Sequence, residues 1–197
     1  MKNLRISILM TIATTILLGI IYPLVVTGLA QVIFPHKANG QLLVKDGAIV
    51  GSSIIGQGFS GAAYFHSRPS ATTIPYDASN SAGSNFGPTS QKLIDRVKAD
   101  ATTAQADNPG TPVPIDLVTT SASGFDPHIT PAAAEFQSAR VAKERDISTD
   151  QLRALVAKHT EARQLGFLGE ARVNVLELNL DLDQQFPATK HARVETR

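Results

Sequence analysis

At 197 residues, with 18 Lys+Arg against 17 Asp+Glu and a formal net charge of +1, the chain has room for one domain plus an appendage. A near-neutral balance without basic blocks excludes the dense Lys/Arg face by which proteins displace counterions from nucleic acid. The absence of cysteine excludes disulfide scaffolds, thiolate zinc sites, thiol catalysis and thiol-linked lipid anchors.

The run from Ile6 to Phe34 carries no charge, and about 20 apolar residues in a helix already span the hydrocarbon core of a bilayer. It predicts a transmembrane helix that Pro23 kinks or ends, since proline removes a backbone donor. Lys2 and Arg5 precede the run, so the positive-inside rule puts the amino terminus in the cytoplasm and exports the chain beyond the helix. A cleaved signal peptide, cut after Ala30, is the alternative; the apolar run is longer than the ~7–15 residues of a signal core. Without Lys2 and Arg5 the exported part is close to neutral and lacks the polybasic character of a lipid binder.

Residues 36–186 read as a single extracytoplasmic α+β domain with short strands, two or three helices and long ordered loops. Residues 1–35 form the anchor and 187–197 a flexible polar tail. Asp46-Gly47 between short apolar runs predicts a hairpin with strands near 42–45 and 48–50. Residues 51–89 are too rich in Gly, Ser, Pro and Asn for one regular element. They nevertheless carry Phe59, Tyr64, Phe65, Ile74, Tyr76 and Phe86, which predicts an ordered, irregular loop region. Leu93, Ile94, Val97 and Ala101 give a helical period over 90–106, stopped by Asn108-Pro109-Gly110. A short strand is expected at 114–118. Thr130-Pro131 opens a helix to about 145, and Ser148 with Gln151 makes a capping box for another to about 162. From Val173 to Leu182 near-alternation predicts a half-buried strand with a phase slip at Leu176, a helix remaining the other reading.

Little of this carries catalytic chemistry. Gly51 to Gly56 has the glycine spacing of a phosphate loop, but Gln57-Gly58 stand where Lys and Ser/Thr are needed. The aspartyl-phosphate segment of a P-type ATPase is missing as well. The five histidines form no ligand-spaced pair, so no metal site and no tightly bound cofactor are expected. Ser121, Ser123, Asp126 and His128 lack the nucleophile elbow of a hydrolase and read first as a polar turn. Arg68 reads as a loop staple, because its five donors can satisfy several carbonyls.

Tyr64-Phe65-His66-Ser67-Arg68-Pro69-Ser70-Ala71 is followed in order by Gly83-Ser84-Asn85-Phe86-Gly87-Pro88, by Pro112 to Thr119, by Ser123-Gly124-Phe125-Asp126-Pro127-His128-Ile129-Thr130-Pro131-Ala132, and by Gly166-Phe167-Leu168-Gly169-Glu170 with Val173 to Asn179. Together these segments resemble the C subunit family of the Kdp high-affinity potassium-transporting ATPase, across residues 4 to 186. Phe125 and Thr130 stand where Leu and Ser are expected of the family. The resemblance implies a noncatalytic accessory subunit of a bacterial inner-membrane complex whose transported ion is potassium. Its implied partners are a channel-like, potassium-binding subunit and the P-type ATPase subunit, besides the lipid bilayer. Any ATP contact would run through the ATPase subunit, whose ATP affinity the C subunit is held to raise. The stretch tied to that role matches Val26 to Gln31, which makes Gln31 the nucleotide-linked candidate. Loops held on a scaffold carry recognition residues, so His66, Arg68, Asn85, Asp126 and His128 are the expected interface with the channel-like subunit. An independent exported hydrolase or ligand-binding protein is the competing reading, tied to a cleaved anchor.

Overall fold

A computed structural model describes residues 1–187; the tail expected at 187–197 lies, beyond its first residue, outside the described residues. The chain divides into two compact units, one covering Met1–Ser52 and the other beginning at Ser53.

The first unit opens with a continuous apolar helix over Lys2–Ile33, long and apolar enough to cross a membrane. It comprises α1 (Lys2–Ile16), a π turn (Leu17–Ile21) and α2 (Tyr22–Ile33). Pro23 explains the interruption. Its nitrogen has no hydrogen to give the carbonyl of Gly19, four residues back, and its ring would strike that carbonyl. Widening one turn around Gly19 accommodates the ring without ending the helix. Thr14 donates to the Met10 carbonyl at 2.8 Å, so its hydroxyl has a partner within the helix. A four-residue helix α3 (Pro35–Ala38) leads to the hairpin of β1 (Leu42–Lys45) and β2 (Ala48–Ser52). Asp46 and Gly47 have φ of 52° and 79°, the left-handed pair that a two-residue turn matched to strand twist requires. The antiparallel register slips once, between Leu43 and Val44.

The second unit holds the core. Helices α4 (Gln91–Asp107), α5 (Pro131–Arg145), α6 (Thr149–Lys158) and α7 (Val175–Gln185) accompany a three-stranded antiparallel sheet. Its strands are β3 (His128–Ile129), β4 (Thr160–Glu161) and β5 (Arg172–Asn174), in the order β3-β5-β4. Thr130 caps α5 by accepting from Ala133 N–H at 3.1 Å. Ser148 and Gln151 form the reciprocal box at the start of α6. Phe65, Ala133, Val141, Leu152, Val173, Leu178 and Leu182 are all fully buried in one cluster.

Three expectations are corrected. Residues 114–118 are not a strand, because Ile115–Leu117 forms a 3-10 turn. Ile115 is 72% exposed and Asp116 turns inward, its carboxylate accepting from Thr130 N at 2.7 Å. The helix expected to reach about 162 ends at Lys158, where Thr160 and Glu161 leave to pair with Val173 and Arg172. The 173–182 segment is strand only as far as Asn174 and helix from Val175. Asn174 makes the switch, its side chain accepting from Glu177 N–H at 3.1 Å as a cap. Val175, Leu176, Leu178, Asn179 and Leu182 are then buried at helical spacing.

The loop region 53–89 is ordered by side chains that stand in for a partner strand. The amide of Asn179 on α7 donates to Phe65 C=O at 2.9 Å and accepts from Phe65 N–H at 3.0 Å. Gln137 on α5 does the same for His66, at 3.0 and 2.8 Å. Arg140 donates to the carbonyls of Ala62 and Tyr64, and Arg145 to that of Ala63. Five successive carbonyls, from residue 62 to 66, thus find partners without a β ladder.

Candidate functional site

Arg68, Asp126 and His128 come together where the first irregular stretch meets the turn before β3. Arg68 donates to Asp126 Oδ2 at 3.1 Å, to the carbonyls of Thr119 and Thr120 at 3.3 Å each, and to Thr119 Oγ1 at 3.3 Å. The other oxygen of Asp126 accepts from His128 N–H at 3.0 Å, and His128 Nδ1 lies 3.7 Å from it. Burial pushes the Asp126 carboxyl up, but the nearby His128 ring, the hydrogen bond from the His128 backbone and the Arg68 charge outweigh it and hold the group below its ordinary range. The Tyr76 hydroxyl donates to the Arg68 carbonyl, and burial pushes that phenol up to about 12.

These three side chains border an open cavity of about 300 Å³, with Asp116, Thr130 and Arg172 among its other walls. Arg68, Asp116, Asp126, Glu170 and Arg172 bring basic and acidic side chains to its lining, beside Ile129 and Ala171. Such a surface offers paired charges to a protein partner. Glycines let the loops close around it: a Cβ on Gly56 would stand 2.6 Å from the Asp126 carbonyl oxygen. Gly124, at φ +82°, has Thr72 Cγ2 only 2.5 Å from the place a Cβ would take.

The other interface candidates lie apart from this cluster. His66 is turned to Gly61, its Nε2 2.9 Å from that carbonyl. Burial, then the nearby Arg140 charge, depress its basicity. It borders a second cavity, of about 230 Å³, shared with Asp100, Asp107 and Gln137. Asn85 is exposed in a left-handed turn, φ 52°, and donates to the Gly83 carbonyl at 3.2 Å. Gln31, in the first unit, is exposed near the end of α2 and exchanges hydrogen bonds with the Asn39 amide at 3.2–3.3 Å. Of the hydrolase-like constellation, Asp126 and His128 meet, while Ser121 serves its own turn by accepting from Gly124 N–H at 2.9 Å.

Sequence reasoning missed the buried polar set of Asp116, Gln137, Arg145, Asn174 and Asn179. A signal existed for one of them: Asn179 falls on the helical stripe that Val175, Leu178 and Leu182 define. Arg145 is the extreme case. Its side chain is fully buried, pairs with Asp183 at 2.8 Å, donates to the Phe186 carbonyl at 2.8 Å and stacks 4.7 Å over the Tyr64 ring.

A long apolar helix followed by a small α/β domain, whose polar clusters staple loops and border a surface cavity lined in part by charged side chains, defines a protein suited to working beside partners in or at a membrane. The family model described as the c chain of the K+-transporting ATPase, KdpC, matches residues 4–184, and the chain belongs to that family. A potassium-transporting ATPase KdpC subunit of Koribacter versatilis is 65% identical over 186 residues, covering 94% of this chain and 96% of that protein. Those of Rhodopseudomonas palustris and Acidobacterium capsulatum are 54% and 55% identical, each covering 93% of this chain and 98% and 99% of theirs.

Proposed function

We propose that this chain is an accessory subunit of a potassium-transporting ATPase complex, held in the bacterial inner membrane by the helix over Lys2–Ile33 with its amino terminus in the cytoplasm and the second unit outside. The observation that carries the reading is membership of the KdpC family over residues 4–184. In this reading the chain performs no chemistry itself and assembles with a channel-like potassium-binding subunit and a P-type ATPase subunit. Lacking the phosphate-loop lysine and the aspartyl-phosphate segment, it leaves ATP to the ATPase subunit.

The division into anchor (1–35), outer domain (36–186) and tail belongs to the same proposal. So do the surface residues. Arg68, Asp126 and His128, with His66 and Asn85 on neighbouring loops, face the ion-entrance side of the channel-like subunit. Their support is geometric: Arg68 and Asp126 are tied together yet border an open cavity lined in part by charged side chains. Gln31 is assigned the nucleotide-linked role through its effect on the ATPase subunit, supported by its place in the Val26 to Gln31 stretch.

Purification of the detergent-extracted full chain from cells carrying the subunits of the complex tests the reading. The chain is expected to resist salt extraction and to co-purify with potassium-stimulated ATPase activity. Release by salt, or purification free of any subunit, would sink it. Arg68→Ala and Asp126→Ala are expected to weaken that association; unchanged assembly and uptake would return these residues to the scaffold.

A further inference from the structure

The hairpin of β1 and β2 is a two-stranded sheet, and two strands with no covering layer are marginal in water. This pair nevertheless turns an apolar face outward. The register slip is accommodated in β2, which sets Ile49 to Gly51 against Leu43 and Val44, so β1 keeps its alternation. Val44 stands directly opposite Ile49, and Leu42, two positions before Val44, shares their face. Val44 is 63% exposed, Ile49 64% and Leu42 45%. The chain leading to the hairpin doubles back onto the end of the apolar helix. Asn39 and Gln31 exchange amide hydrogen bonds at 3.2–3.3 Å, and Ser52 Oγ closes the open end of the hairpin on the Gly40 carbonyl at 2.6 Å. Gln31 lies in the last turn of α2, so the root of the hairpin is held where the membrane-crossing helix ends. Helix and hairpin belong to one compact unit, Met1–Ser52.

We propose that Leu42, Val44 and Ile49 rest in the lipid interface beside the end of the helix, so that the hairpin is a second, shallow foot of the membrane anchor. The assignment rests on reading Lys2–Ile33 as a retained span. Position selects lipid as the occupant. A strand rises ~3.3 Å per residue, so every residue of the four-residue β1 lies within about 13 Å of the hairpin root. Lipid surrounds a single span at that level unless another protein displaces it. Three apolar side chains alone would bind a membrane weakly, and no polybasic patch adds to them. Tethering removes that deficit, because insertion beside a helix already in the bilayer is intramolecular. The charges are placed to permit it. Asp46, in the turn, is the one acidic residue between Ile6 and Ser52, so no carboxylate stands on the apolar face to resist burial. Lys45 falls on the opposite face of β1 by the same alternation. Lys37 and Lys45 are both exposed, and long ammonium side chains keep their heads in water while their stems lie along an apolar boundary.

The chain has no cysteine, so single cysteines at positions 20, 44 and 49 can each carry an environment-sensitive fluorophore. The detergent-extracted full chain, with whatever subunits accompany it, is reconstituted into phosphatidylethanolamine–phosphatidylglycerol vesicles whose lipids are brominated either near the headgroup or near the chain end. Labels at 44 and 49 are expected to shift to the blue and to lose fluorescence to the shallow bromines more than to the deep ones. A label at Ile20, in the middle of the helix, should lose it to the deep ones. Val44→Asp, with the label at 49, should abolish the shallow loss, because a carboxylate opposite the label resists burial. Labels at 44 and 49 that neither lipid quenches, whether wet or covered by protein, would overturn the foot while quenching at 20 leaves the span intact. Quenching at 49 that survives Val44→Asp would overturn it too. No quenching at 20 would overturn the retained span, and the foot with it.

Discussion

Arg145 shows how one side chain can decide the fate of a loop. It is fully buried and its guanidinium serves Asp183, Ala63 C=O, Phe186 C=O and the Tyr64 ring. Arg145→Met keeps the bulk but leaves the Ala63 and Phe186 carbonyls without this donor and Asp183 with only the Tyr64 hydroxyl and solvent, so a loss of about 3 kcal/mol is expected, read as a lower urea midpoint. Arg145→Lys should recover little, since one ammonium cannot span the fork. Acid sensitivity arises from the same kind of contact. Asp181 is raised by burial but lowered further by Lys158, His159 and Gln185, and Asp126 by His128 and Arg68. Both carboxyls are depressed from 3.8, so their contribution to stability is complete above that pH and lost as pH falls through their lower native values. His66 is depressed from 6.5. The unfolded chain therefore takes up its proton first, and stability should already decline as pH drops below 6.5. Denaturant midpoints measured from pH 7 to 3 should show that early decline, and His66→Gln should remove it.

At the scale of elements, the loop region depends on helices that sequence places far away. Asn179→Leu suits the helical stripe and fills the site, but leaves Phe65 N–H and C=O without partners. About 2 kcal/mol of destabilisation or more is expected, seen as earlier proteolysis within 53–89 than elsewhere. Gly124→Ala meets both a positive φ and a methyl already occupying the space, and should lose about 2 kcal/mol in a thermal melt. Gly110→Ala has open space and only the φ penalty of +81°, so it should lose less. Comparing the two separates crowding from backbone strain.

For the whole molecule, the expectation is a topology and an absence of independent turnover. Cysteines introduced at position 3 and at exposed Gly110 should label from opposite sides of the membrane. Labelling at 110 only after permeabilisation would reverse the orientation. The purified chain, freed of other subunits, should release no phosphate from ATP on addition of potassium. The apolar helix, the 46–47 hairpin, the caps at Thr130 and Ser148 and the family itself were all legible in the sequence, because each rests on local chemistry or on contiguous motifs. Tertiary contacts decided the rest. Residues 173–182 alternate well enough to pass for a strand; the Asn174 cap, the burial of Val175, Leu178 and Leu182 and the pairing of Asn179 with Phe65 together make the segment from Val175 a helix. Residues 114–118 turn because Asp116 finds Thr130 from fourteen positions away. The meeting of Arg68 with Asp126, 58 residues apart, has the same origin. Local preference fixes where the capped helices begin, while pairing and burial across the chain fix where α6 ends, what 114–118 becomes and which way side chains face, and that set is determined only when the chain has closed on itself.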